Sequence, residues 1–139
     1  MITIRNAAKA DIESLVALCA ETLPEKWSAE SFGAEFEKNS VVLCAADDGE
    51  IIGFAVTAVS FDEGYLDLIA VSEKYRRQGI ASALTSRLAM EILKRGKVPF
   101  YCAAWSNIRS VRNAIKSGFR PAWVELTVKS AETVRGMNA

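Results

Sequence analysis

Chemistry is most concentrated in the run Val71-Ser72-Glu73-Lys74-Tyr75-Arg76-Arg77-Gln78-Gly79-Ile80-Ala81. Three cations, Lys74, Arg76 and Arg77, stand just before Gly79 and the small Ala81. Placed between a strand and the first turn of a helix, such a run suits a phosphate. Helix N-termini expose unpaired N–H groups at the positive end of the dipole. A residue without a Cβ lets the anion reach the backbone. The run is neither a GxxxxGK[ST] loop nor a GxGxxG dinucleotide loop. The plain alternative is a basic turn before an ordinary helix, and the fragment alone does not separate the two.

The remaining composition limits the chemistry further. There is no histidine, which excludes Ser-His-Asp and Cys-His nucleophiles. A general base must then be a carboxylate, tyrosine, cysteine, lysine, N-terminus or relayed water. The three cysteines, Cys19, Cys44 and Cys102, show no CxxC spacing, so neither a disulfide framework nor a metal site is expected. Seventeen basic and 17 acidic side chains cancel. That balance argues against a general nucleic-acid or membrane-surface binder. No stretch reaches the ~18 apolar residues of a membrane span. The start, MITIRNAAKADIE, lacks a secretory pattern, and the cytoplasm is the expected location.

The elements that must position this run follow from periodicity. Ile2–Arg5 reads as a strand. Asp11 opens a helix with Ile12, Leu15, Val16, Cys19 and Leu23 on one face, ended by Pro24. Ser28 caps a second helix carrying Phe32 and Phe36. Val41–Ala46 and Ile51–Val59 form a hairpin across Asp47-Asp48-Gly49, the second strand weakened or bulged at Gly53. Asp62-Glu63-Gly64 reads as a turn and Tyr65–Val71 as a strand. A long helix from about Gly79 to Arg95 carries the stripe Ile80, Leu84, Leu88, Ile92, with Ala81, Ala89 and Leu93 alongside. Pro99–Ala104 is a strand, and Ile108–Ser117 a helix with Val111, Ala114 and Ile115 inward and Gly118 as its stop. Phe119–Lys129 is the last strand.

The expected fold is thus α/β (α+β), one domain over residues 1–130. It has a mixed sheet of about six strands flanked by four helices, and residues 131–139 form a flexible tail. Strand alternation would put Tyr65, Asp67 and Ile69 on one face.

Arg76, Gly79 and Ala81 fit the Q/R-x-x-G-x-G/A loop of the GNAT acetyltransferase superfamily, which the chain resembles over nearly its whole length. Ser106-Asn107 before the last helix and Gly118-Phe119 at its end fit a second signature. Within the superfamily the chain is most similar to the branch that acetylates protein N-termini, such as alanine termini of ribosomal proteins. The segments Trp27–Phe32, Tyr75–Ala81 and Glu91–Gly96 carry that likeness.

The resemblance implies an acetyl-CoA-dependent N-acetyltransferase acting on a primary amine, in a peptide, protein or small molecule, by direct attack in a ternary complex. It implies strands splayed around the CoA site. Pantetheine would pair with Ile69, Ala70 and Val71 as an added strand. Pyrophosphate would lie near Arg76, on the amides of Arg77, Gln78, Gly79, Ile80, Ala81 and Ser82. Asn107 would reach the cofactor's amide portion, cap the last helix, or do both.

The sequence departs from the family at the acid and base. Cys102 stands where the N-terminal acetyltransferases carry a glutamate, Ala114 where many members have a tyrosine, and Tyr65 where others have a glutamate base. Asp67, acting through a water, and Cys102 are the remaining catalytic candidates. The alternatives are a surface carboxylate for Asp67 and a small buried filler for Cys102. Trp27, Phe32 and Trp105 would rim an acceptor groove or pack the core. A non-catalytic acyl-CoA-binding module is the rival function, and a structural domain without a CoA site is a third. Monomer and homodimer are both compatible with the sequence.

Overall fold

A computed structural model describes residues 1–38, 40–104, 106–124, 132 and 136. Its sheet runs in the order β1 (Ile2–Asn6), β2 (Val41–Asp47), β3 (Glu50–Ser60), β4 (Glu63–Val71), β5 (Val98–Phe100). The first four strands are antiparallel neighbours, and β5 joins β4 in parallel. Helices α1 (Ile12–Thr22) and α2 (Ala29–Glu37) cover one face, and α3 (Ile80–Lys94) covers the other. Helix α4 (Ile108–Lys116) packs on α3.

Each face is built by alternation. Val42, Cys44, Phe54, Val56 and Ala70 meet Leu15, Leu18, Cys19 and Phe32 from α1 and α2. Val41, Leu43, Ala45, Ile52 and Ala55 meet Ile80, Leu84, Leu88 and Ile92 from α3. The α3 stripe expected from i, i+4 spacing is thus buried throughout, whereas Leu93, expected beside it, is exposed. Asp11 anchors the first connection. It accepts two hydrogen bonds from Arg5 and one from the Ala8 amide, and the guanidinium holds its carboxyl down at about 2. The Ser28 hydroxyl caps α2 by accepting from the Ser31 amide. Helix α3 ends at left-handed Gly96, with the Lys97 amide donating back to the Ile92 carbonyl.

Several sequence expectations are corrected. The turn between β3 and β4 falls at Phe61-Asp62, and Glu63 and Gly64 lie within β4. Gly64 is needed because a Cβ there would stand 2.8 Å from the Ile92 side chain. The strand expected at Pro99–Ala104 ends at Phe100. Residues 119–124 are not strand, and the rest of the strand expected to Lys129 lies outside the described residues. So does nearly all of the expected tail beyond 131. The sheet has five strands among the described residues. Of the two readings of Gly53, a weakened or a bulged strand, the sheet shows a bulge beside it: Ala45 pairs with Gly53 but Ala46 with Ile51, so Ile52 is the extra residue.

Candidate active site

The site begins with a second bulge. Val56 pairs with Leu68 and Thr57 with Leu66, which leaves Asp67 as the extra residue of β4. The bulge resets the alternation. Leu66 and Ile69 face the α3 core, while Leu68 and Ala70 face α1 and α2. Asp67 and Ile69 therefore do not share a face as simple alternation predicted. The buried Thr57 hydroxyl donates to the Tyr65 carbonyl at 2.6 Å, beside this irregularity.

Past the bulge, β4 has no paired neighbour on its β5 edge among the described residues. Pairing with β5 covers only Glu63 to Tyr65. On the other edge the Ser72 amide donates to the Ile52 carbonyl, at 2.8 Å. Antiparallel alternation then turns the main-chain groups of Ile69 and Val71 toward the open edge. An open strand edge can accept an extended ligand as an extra strand.

The chain leaves that edge through a 3-10 turn, Glu73–Tyr75, and reaches α3 through two left-handed residues. Arg77 has φ 65° and Gly79 φ 79°. Arg77 in this region is strained by about 1–3 kcal/mol, which marks a constrained segment. Gly79 is the N-cap, and apart from its chain neighbours nothing lies within 4 Å of where its Cβ would be. The first turn of α3 therefore ends in uncovered amides, an anion-binding concavity. The Arg76 Nε donates to the Val71 carbonyl at 3.4 Å.

Open edge and amide nest meet in one cavity of about 640 Å³. Of the expected donor residues, Ile69, Ala70, Val71, Arg76, Arg77 and Ala81 line it. Gln78, Gly79, Ile80, Ser82 and Asn107 are not lining residues. Ile80 sends its side chain into the core, and Asn107 caps α4 by accepting from the Ser110 amide at 3.3 Å. Four lining residues were not anticipated: Thr22 and Leu23 from the end of α1, Glu73, and Arg109 of α4. Glu73 belongs to the loop itself, whereas only tertiary packing brings Thr22, Leu23 and Arg109 to the site, and no local pattern announces them.

Helix α4 is held by polar contacts. The Ser82 hydroxyl donates to Asn113 Oδ1 at 2.9 Å, and Asn113 Nδ2 donates to Thr85 Oγ1 at 3.0 Å and to the Tyr101 hydroxyl at 3.3 Å. Val111 and Ala114 are half-buried as expected, but Ile115 is 57% exposed, and Asn113 takes the inward place expected of it. Replacing Asn113 with Ala strips a partner from the buried Thr85 hydroxyl and the half-buried hydroxyls of Ser82 and Tyr101. A loss of about 1–3 kcal/mol is expected in the denaturant midpoint, with the slope unchanged.

The catalytic candidates lie at the gap between β4 and β5. Asp67 is exposed; partial burial, followed by the nearby Glu35 and Glu25 charges, still raises its pKa, against an opposing effect of Lys38. Cys102 is exposed, not the buried filler that was one reading of it. Cys102 lies two residues past the end of β5 at Phe100, and neither it nor Asp67 lines the cavity. Of the proposed acceptor rim, Phe32 is fully buried and packs on Trp27 at 5.3 Å. Both serve the core, and Trp105 lies outside the described residues. Among the described residues no cluster of His, Cys, Asp or Glu could hold a metal, and no helix is long and apolar enough to cross a membrane.

A mixed sheet opened beside an amide nest is the architecture of an acyl-CoA-dependent transferase, and the chain belongs to the acetyltransferase (GNAT) family, which matches residues 10–119. Among particular proteins, it is 28% identical over 110 residues to the [ribosomal protein bS18]-alanine N-acetyltransferase of Escherichia coli K12, covering 79% of this chain and 72% of that one. It is 26% identical over 132 residues to an N-alpha-acetyltransferase of Sulfurisphaera tokodaii, covering 84% and 79%. The crystal structure of the Escherichia coli S18-alanine enzyme superposes with a TM-score of 0.77 at 27% identity, over 88% of this chain and 80% of that one. The protein is an acetyl-CoA-dependent N-acetyltransferase, and the donor is acetyl-CoA.

Proposed function

We propose that this enzyme acetylates the amine of a peptide N-terminus, with Asp67 as base and Cys102 as proton donor across the gap between β4 and β5. The observation that carries the donor assignment is the single cavity shared by the open edge of β4 and the nest of α3. The relatives named as a [ribosomal protein bS18]-alanine N-acetyltransferase and an N-alpha-acetyltransferase support a peptide acceptor.

Acetyl-CoA supplies an acyl group activated as a thioester. Ile69, Ala70 and Val71 offer their main chain to its pantetheine arm. The amides of Arg77, Gln78, Gly79, Ile80, Ala81 and Ser82 take the pyrophosphate, with Arg76 beside them. Asn107 keeps its side-chain nitrogen as a donor for the cofactor's amide portion, since its oxygen is used in capping. A main-chain N–H near Val71 polarises the carbonyl.

The acceptor nitrogen attacks the carbonyl carbon. A C–N bond forms, and the C–S bond breaks. Asp67 receives the amine's surplus proton through a water. Cys102 passes a proton to the departing thiolate and regains one from solvent. The products are an amide and the free thiol of CoA.

Release of free thiol from acetyl-CoA, measured with a panel of peptides and small amines, tests this. Turnover with peptides but not with small amines is expected. Donor binding with silence across the panel would favour the non-catalytic alternative. Asp67→Asn should lower kcat about 10²-fold or more. In the parent enzyme the rate should rise with pH through an inflection above the usual carboxylate range, because the raised pKa keeps Asp67 protonated, and idle as a base, to higher pH. Loss of that inflection in Asp67→Asn is the expected outcome; its persistence would remove Asp67 from the role.

A further inference from the structure

Arg109 has no role in the fold that explains its position. It is the second residue of α4, where a cation opposes the helix dipole, and the first turn of that helix contains no acidic residue. It is exposed, and among the described residues no carboxylate pairs with it. Yet it lines the same cavity as Arg76 and Arg77, from a different wall. Those two arginines belong to the loop that enters α3, while Arg109 comes from α4.

The cavity wall thus carries three guanidinium groups against one carboxylate, Glu73. Coenzyme A carries two separate anionic groups, a pyrophosphate and a phosphate on the 3′ oxygen of its ribose. The amide nest and the dipole of α3 suit the first. A guanidinium, with its planar fork of donors, suits a terminal phosphate with three free oxygens. The placement of α4 is fixed by the Ser82–Asn113 bond and by the Ser117 hydroxyl, which contacts the Ser82 carbonyl at 3.4 Å. These bonds tie the helix bearing Arg109 to the first turn of α3, which bears the nest.

We propose that Arg109 is a donor-specificity residue, which binds the ribose 3′-phosphate and selects acetyl-CoA over its 3′-dephospho form. The proposal rests on the donor site described above. Calorimetric titration of the whole chain with acetyl-CoA and with acetyl-3′-dephospho-CoA tests it. The parent protein should prefer the phosphorylated donor by about 10-fold to 100-fold, the range of a hydrogen-bonded charge pair. Arg109→Gln should bring that ratio near one and leave affinity for the dephospho donor within about twofold. Arg109→Lys should restore part of the preference.

Equal affinity of the parent protein for both donors would overturn the assignment. So would an Arg109→Gln variant that weakens both donors alike, which would place Arg109 on the pyrophosphate, or one that retains the full preference. Failure of the parent protein to bind either donor would refute the donor site itself, a result distinct from all of these.

Discussion

Gly79→Glu should abolish measurable binding of acetyl-CoA, a loss of at least about 100-fold, while the protein stays folded. Two effects act at this position. Gly79 holds φ 79°, a left-handed conformation that costs a side chain roughly 1–2 kcal/mol. Apart from its chain neighbours, nothing lies within 4 Å of its missing Cβ, so a side chain there has open room beside the amides. A carboxylate in that room satisfies the nest internally and repels the pyrophosphate. The backbone strain weakens the fold, whereas the carboxylate carries the affinity loss; a hundredfold corresponds to about 2.8 kcal/mol. Gly79→Asn is the control, because asparagine tolerates the left-handed region and adds no charge. It should lose much less affinity, read in the same titration. A folded Gly79→Glu protein with undiminished affinity would mean that the anion lies elsewhere.

The second large effect concerns stability. Gly64→Val should destabilise the fold by about 3 kcal/mol, near the upper end of overpacking effects. All three nearest atoms belong to Ile92, at 2.8 to 2.9 Å from an added Cβ. Ile92 is itself buried, on a helix that also packs Leu84 and Leu88, and cannot retreat. Gly64 also sits mid-sheet, between Val59 on β3 and Pro99 on β5, so any shift strains two ladders. Thermal or denaturant unfolding measures the loss. Trimming Ile92 to Ala in the Gly64→Val background should recover part of it. The double-mutant cycle should show coupling of about 1 kcal/mol or more, and additive losses would mean that the two positions do not compete for space.

Gly64 also shows where sequence reading failed. Asp62-Glu63-Gly64 has turn composition, yet the glycine is there to admit a helix side chain. Composition cannot distinguish a glycine that bends the chain from one that makes room. The long-range elements were legible because their signals were redundant. The α3 stripe repeats four times, left-handed glycines stop both α3 and α4, and Ser28 caps α2 as its type suggests. Short or irregular segments lacked that redundancy. On the nine residues of α4, Asn113 and Ile115 exchanged their expected places, because one turn of pattern cannot outweigh a hydrogen-bond network to α3. The bulge at Asp67 left no compositional trace, and it reversed which residues of β4 share a face. The loop of the site could be read in the chain because its chemistry is local. Thr22, Leu23 and Arg109 could not, because they reach the cavity only through folding.

The brevity of β5 has a consequence for the folding equilibrium. A sheet whose fourth strand is paired over three residues on one side leaves part of its own ladder to be completed by something else. If the donor completes it, each molecule bound supplies main-chain bonds that the described residues do not make. Donor affinity and conformational stability then become one quantity. A hundredfold excess over the dissociation constant adds about 2.7 kcal/mol to the folded state. The enzyme would be sturdiest when acetyl-CoA is plentiful and most open to unfolding, and so to proteolysis, when it is scarce.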